Sequence, residues 1–464
     1  MNERQAIALD RRAPKLKKLF AFPARIIAAS FAAVILVGTL LLMLPLSSRE
    51  GIVTPFLDCL FTATSATCVT GLIIYDTYTH WSPFGQCVIL MLIQIGGLGL
   101  VTFTTFFNLL IGKKLGLRGM HLAEESVASF GDDIKGLIRI VILTALVVET
   151  AGALLLMPTF TAEYGPRGIF IAIFLSVSAF CNAGFDILGR QEPFISLCNY
   201  NGNPVVIGTI GMLIIFGGIG FIVIHDLLQY RRTKKLTLHT RIVVAVTGIL
   251  LVLGTLMTIL CEWNNPATIG ALPSFWQKLG ASWFHSVSCR TAGFNSVPID
   301  GMYDITKILS SVLMFFGAAP GSTGGGIKCT TVAVIFMTVY CVIRGDEDTV
   351  IFGRRVGRQA VYKSMAVMIL GILAVTVTSG CIVSTMQDTH AISGVDALFE
   401  SVSAFATVGL SAGVSGVAGT LPKLLLLFSM YIGRLGPVSF FLSLAMRPKN
   451  NRREVLPEGK IQIG

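Results

Sequence analysis

Thr62-Ala-Thr-Ser-Ala-Thr-Cys-Val-Thr-Gly71-Leu72 is a run of small and hydroxyl-bearing residues that ends in one glycine, with a hydrophobic stretch long enough to cross a membrane beyond it. Three more stretches repeat it: Ser176-Val-Ser-Ala-Phe-Cys-Asn-Ala-Gly184-Phe185, Ser286-Val-Ser-Cys-Arg-Thr-Ala-Gly293-Phe294 and Ser401-Val-Ser-Ala-Phe-Ala-Thr-Val-Gly409-Leu410. Their glycines stand 113, 109 and 116 residues apart, so the chain is one unit used four times. The units take 22–115, 116–235, 236–345 and 346–447, with tails at 1–21 and 448–464. Fourfold repetition of a polar, glycine-ended loop points to a pore.

Composition sets the medium. The 464 residues are 53% hydrophobic and 13% charged, with a mean hydropathy of +0.75. Soluble domains carry about 25% charged residues, so this is an integral membrane protein. Apolar runs near the roughly 20 residues needed to span fall at 22–45, 84–112, 136–158, 204–230, 242–261, 305–343, 364–385 and 421–446. That predicts two spans per unit. The first run is long and lacks a clear small-residue cleavage site, so it reads as a retained helix rather than a signal peptide. The shorter segments at 54–67, 167–181, 274–289 and 394–406 cannot span and read as re-entrant pore helices. The expected fold is therefore all-α, four tandem helix–pore-loop–helix repeats with pseudo-fourfold symmetry around a central pore.

Most of the 36 Lys and Arg lie in the tails and in the 113–139, 231–241 and 344–363 connections, which the positive-inside rule makes cytoplasmic. Both termini then lie inside, and the four glycine loops face outward beside mostly acidic connections, a balance that attracts cations. Setting topology accounts for the +11 net charge, and no clustered basic patch suggests nucleic acid.

A cation leaving water needs replacement oxygens, and backbone carbonyls turned into a narrow pore supply them. Such an extended backbone needs a residue free of Cβ restrictions, the position of Gly71, Gly184, Gly293 and Gly409. The candidate ion-binding set is Cys68-Val69-Thr70-Gly71, Cys181-Asn182-Ala183-Gly184, Arg290-Thr291-Ala292-Gly293 and Ala406-Thr407-Val408-Gly409, with the ion held by backbone carbonyls and no structural metal. In the sixth run, Gly317-Ala318-Ala319-Pro320-Gly321-Ser322-Thr323-Gly324-Gly325-Gly326 cannot stay a regular helix. A break there must face protein or a water-filled cavity, and its place below the glycine loops suggests a movable constriction. The stretch lacks the Gly-Lys-Ser/Thr order of a phosphate-binding loop. Lys328 and Arg434 sit within predicted spans, where ionisable side chains are functional hypotheses; Arg434 is placed to donate to loop carbonyls. Arg290 is expected to be held by an acid such as Glu262 or Glu400, and Glu149 to pack against a polar neighbour. The ten cysteines match no metal pattern, no catalytic constellation stands out, and no cofactor is expected. The mixed-charge connection at 344–363 is a candidate surface for a cytoplasmic partner.

At Val69-Thr70-Gly71-Leu72 and Cys289-Arg290-Thr291-Ala292-Gly293-Phe294-Asn295 the sequence resembles the Trk/Ktr/HKT superfamily of potassium transporters, over essentially the whole chain. Eight spans and the ending Pro457-Glu-Gly-Lys-Ile-Gln-Ile-Gly464 look more like Ktr membrane subunits than their TrkH relatives. The resemblance implies channel-like potassium uptake across the bacterial plasma membrane, with sodium as a possible activator. It also implies a homodimer embedded in lipid, and control by a cytoplasmic ring of RCK-type subunits binding ATP or ADP. It makes 317–326 an intramembrane gating loop and gives Arg434 a part in gating. A sodium-permeable relative carries serine at the first loop glycine, where Gly71 stands here. A secondary transporter of a small organic solute, the alternative from another class, would be supported by inverted repeats, whereas these run in one direction.

Overall fold

The computed structural model describes residues 23–99, 134–390 and 392–444. Each unit opens with a peripheral helix: α1 (Pro23–Leu42), α4 (Ile134–Tyr164), α8 (Leu238–Glu262) and α12 (Arg358–His390). All four are long and apolar enough to cross a membrane. Each is succeeded by a short helix: α2 (Phe56–Thr67), α5 (Arg167–Phe180), α9 (Phe275–Ser288) and α13 (Gly394–Ala406). These match the expected pore helices to within a residue or two. At 12 to 14 residues they are too short to span, so they enter the bilayer and stop.

Outside unit three, whose break is expected, the central helices depart from the expected uninterrupted spans. Helix α3 (Pro83–Leu98) stops at Gly99, with φ of 81°. The remainder of that run lies outside the described residues, together with all of both tails and much of the 113–139 connection. In unit two, α6 (Pro204–Gly218) and α7 (Phe221–Thr233) meet at a 96° bend around Gly220, with φ of 89°. In unit three, α10 (Asp304–Phe315) and α11 (Cys329–Arg344) are separated by the expected break. In unit four, α15 (Thr420–Leu435) and α16 (Pro437–Leu444) flank Gly436, with φ of 84°, after the one-turn α14 (Val414–Val417). The cause is local: Gly96-Gly97-Leu98-Gly99, Gly217-Gly218-Ile219-Gly220 and Gly433-Arg434-Leu435-Gly436 repeat a pattern whose last glycine takes a conformation costly for any residue with a Cβ.

The first glycine of each pattern fixes packing. A Cβ on Gly96, Gly217 or Gly433 would overlap the carbonyl oxygen of Thr67, Phe180 or Phe405 respectively. Central helix and pore-helix end therefore touch backbone to backbone, the close approach that small residues permit in membranes. Ser82 and Asn203 cap α3 and α6 ahead of Pro83 and Pro204 at the first helical position, each cap contributing about 1 kcal/mol. Between units, Lys423 at the start of α15 pairs with Asp58 on α2 at 2.7 Å, and Lys307 on α10 pairs with Asp396 on α13 at 2.8 Å. Each clamps the pore helix of the next unit, unit four closing back onto unit one. The 344–363 connection contains a two-stranded hairpin, Val350–Ile351 against Arg354–Arg355.

Candidate functional site: a glycine ring and the loop beneath it

The four glycine loops meet in chain order. A Cβ on Gly71 would lie 2.6 Å from the Ala183 oxygen, one on Gly184 2.6 Å from the Ala292 oxygen, and one on Gly293 2.6 Å from the Val408 oxygen. One on Gly409 would fall closer still to the Thr70 oxygen, which returns the series to the first loop. All four glycines have positive φ, from 69° to 96°. Any side chain here would therefore carry backbone strain and collide with a neighbouring carbonyl.

The residue two positions earlier is also left-handed in every loop: Val69 (56°), Asn182 (60°), Thr291 (67°) and Thr407 (52°). Three of these are β-branched, for which that region is a genuine outlier. Non-glycine residues held in this region, each at a cost of about 1–3 kcal/mol, persist only where the surroundings over-determine them. The surroundings are serines. The Thr70, Ala183 and Val408 amides donate to the Ser65, Ser178 and Ser403 carbonyls at 2.8 Å, and Ala292 donates to Ser288 at 3.0 Å. The same serines bind the loop a second time. Ser65 and Ser403 accept from the Gly71 and Gly409 amides, at 3.1 and 3.0 Å, while Ser178 and Ser288 donate to the Phe185 and Phe294 carbonyls, at 2.7 and 2.6 Å. The third loop has one residue fewer between serine and glycine than the others, yet this double attachment survives. The hydroxyls of Thr64, Thr67, Thr70 and Thr407 are buried with no hydrogen-bond partner among the described residues.

The 317–328 segment lies directly beneath. It folds back on itself through the Gly317 amide to the Ile327 carbonyl (2.9 Å) and the Cys329 amide to the Ala318 carbonyl (3.2 Å). It docks on the break in the second central helix. Ala319 and Thr323 donate to the Gly218 and Gly217 carbonyls at 3.0 and 3.2 Å, and the Phe221 amide donates to the Gly321 carbonyl at 3.1 Å. Backbone groups freed by the two breaks satisfy each other, which lets irregular chain sit at this depth. The Thr323 hydroxyl also reaches the Phe180 carbonyl at 3.1 Å. A Cβ on Gly324 or Gly325 would strike the hydroxyl of Thr291 or Thr407, and Gly326 lies against Ala406. The loop thus contacts the third and fourth glycine loops from below.

Lys328 and Arg434 both engage this loop. Lys328 Nζ donates to the Gly324 carbonyl at 2.7 Å. The Arg434 guanidinium donates to the Thr323 carbonyl and to the Gly96 carbonyl of α3, tying the loop to the central helices of units one and four. Arg434 occupies the place of Gly97 and Gly218 in the repeated break pattern, so an arginine reaches the loop from a position where those two units have no side chain.

Arg290 does not find the acid expected of it. Glu262 is bound within the end of α8 and the start of α10, by Asn265, Thr268, Tyr303 and Thr306. Glu400 is bound by Ser411, the Ala412 amide and Ser415. With their acceptor directions taken locally, neither carboxylate is free for Arg290, whose buried Nε has no partner among the described residues and which borders a small cavity with Ile214, Ile215, Gly218, Leu251 and Val287. Glu149 does have its polar neighbour, Gln94 on α3.

A helical membrane protein in which four repeats bring four glycine loops to one axis has the architecture of a cation pathway. The chain belongs to the TrkH family, described as cation transport protein, whose pattern matches residues 6–454. It is 38% identical to Ktr system potassium uptake protein B of Bacillus subtilis, over 95% of this chain and 97% of that protein. It is 37% identical to the potassium/sodium uptake protein NtpJ of Enterococcus hirae over the same shares. The fold is similar to the crystal structure of the potassium transporter TrkH from Vibrio parahaemolyticus, with a TM-score of 0.67 and 16% identity, covering 90% of this chain and 85% of that one.

Proposed function

We propose that this chain is the potassium-conducting membrane subunit of a Ktr-type uptake system, in which cations pass the glycine ring down their electrochemical gradient. The observation that carries the reading is the closed order of the ring, each glycine abutting the carbonyl that precedes the next unit's glycine. Carbonyls of Val69-Thr70-Gly71 and its three counterparts then replace the hydration shell of a potassium ion, and no fixed charge holds the ion too tightly to leave. The carbonyl ends of α2, α5, α9 and α13 add negative potential there.

The 317–328 loop acts as the gate. It lies across the path below the ring, held by Arg434, whose charge also opposes a cation. Opening moves the loop off the second central helix and breaks the Arg434 contacts. In this reading the protein sits in the plasma membrane with both termini inside, pairs with a second copy, and takes its nucleotide control from a separate RCK-type subunit. Rubidium-86 uptake into proteoliposomes, with sodium competition and an imposed voltage, tests the function. Voltage-driven, potassium-competed uptake is expected; uptake that needs an organic co-solute and ignores potassium would overturn it.

A further inference from the structure

Position three before each ring glycine holds Cys68, Cys181, Arg290 and Ala406, and the four are supported differently. Behind Cys181 lies a buried polar cluster. Gln94 Nε2 donates to both carboxylate oxygens of Glu149, at 3.1 and 3.2 Å. The Cys181 thiol lies 3.7 Å from Gln94 Oε1 and 3.9 Å from Glu149 Oε1. The Glu149 carbonyl accepts from Ser176 of the same pore helix at 2.6 Å. A Cβ on Gly97 would sit 2.5 Å from Cys181 Sγ, so α3 closes the thiol in from its other side. Three elements, α3, α4 and the second glycine loop, therefore converge on one cysteine adjacent to the left-handed Asn182.

The counterpart positions on α6, α15 and α8 carry no such pair. Alignment on the glycine pattern of the central helices puts Ile215 and Tyr431 where α3 has Gln94, and Leu251, whose carbonyl accepts from Ser286 as that of Glu149 does from Ser176, stands where α4 has Glu149. At that second boundary Ile215, Leu251 and the unpartnered Arg290 Nε border a cavity instead. Glu149 is 7% exposed within a span and forms no ion pair among the described residues. A carboxyl so placed is costly and is by default functional.

We propose that Glu149 and Gln94 are positioning residues for ion selection, a brace between units one and two that holds Cys181 and fixes the carbonyls of Asn182 and Ala183 in the ring. The proposal rests on the reading of the glycine ring as the selectivity filter. Glu149→Gln and Gln94→Leu each weaken the brace without opening the gate. The exchange Glu149→Gln with Gln94→Glu rebuilds a carboxylate–amide pair in the same space.

The test measures potassium-over-sodium preference by rubidium-86 uptake with sodium competition, in proteoliposomes normalised to folded protein, alongside Gly184→Ser. Each single change is expected to lower the preference roughly three- to tenfold, the consequence of one buried hydrogen bond lost, and the exchange to restore most of it. A packing role alone predicts lower yield and thermal stability with an unaltered preference in the surviving protein, and no rescue; that result overturns the brace. If Gly184→Ser also leaves the preference unaltered, the filter reading itself fails. If Gly184→Ser lowers it and the brace variants do not, only the brace fails.

Discussion

At the scale of single residues, strain and charge sit where the ion path is proposed. Gly71 has φ of 96° and abuts the Ala183 oxygen. Gly71→Ser is expected to reduce discrimination against sodium by about tenfold, since a carbonyl-ring displacement worth roughly 1.4 kcal/mol suffices. Sodium competition against rubidium-86 uptake measures it, and unaltered selectivity in folded Gly71→Ser protein would reject the assignment. Arg434 makes two charge-assisted bonds to loop and helix carbonyls, each contributing about 1.5–3 kcal/mol. Arg434→Ala should therefore raise regulator-free flux by about tenfold or more while selectivity survives, because the ring is untouched. Flux that stays at the parent level would show that the arginine does not hold the path closed. The glycines and Arg434 are legible in the sequence because repetition and intramembrane charge are one-dimensional signals. The surroundings of Arg290 are not: whether Glu262 and Glu400 are already saturated depends on loops that only folding brings to them.

Elements show why the breaks matter. The glycine-rich run at 317–326 announces its own interruption, but the repeated Gly-x-x-Gly endings of α3, α6 and α15 read as ordinary small residues in apolar runs. Their signal is the recurrence of one pattern at matching places in three units. Their reason is the pore-helix carbonyl that each first glycine meets. Gly217→Ala would push a methyl group into the Phe180 oxygen, and overpacking against backbone costs about 1–3 kcal/mol. Lower thermal stability and yield are expected, measured by a fluorescence melt in detergent; a melt equal to the parent's would mean the helices can separate freely. Shortening the 317–326 loop separates a gate from a kink. A gate predicts faster regulator-free flux per folded molecule. A kink predicts misplacement of α11 and loss of both yield and flux.

Across the whole molecule, ion pairs link consecutive units. Lys423 and Asp58 are 15% and 10% exposed, so Lys423→Met leaves an uncompensated, mostly buried carboxylate and should cost about 3–5 kcal/mol. Adding Asp58→Asn should recover part of that loss in the melt. If the double variant is no more stable than the single one, the clamp between units four and one is misassigned. Control belongs at this scale too. Co-purification from a native host is expected to recover a separate nucleotide-binding subunit, with the 344–363 connection at the contact. Tight binding of ATP or ADP by the isolated membrane chain would contradict that division of labour.

By itself the sequence determined the medium, the fourfold repeat, the pore helices to within a residue or two, and the interruption at 317–326. Each of these comes from composition or spacing along the chain, because bilayer thickness and repetition act on contiguous residues. Only the tertiary structure decided the order in which the glycines meet, the left-handed residues two positions before them, the docking of the loop on the second central helix, and the placing of Glu149 behind Cys181. Those depend on which backbone groups lie within reach of one another across units that are distant in the chain, and hydrogen bonding and close packing select among such contacts only once the helices have assembled.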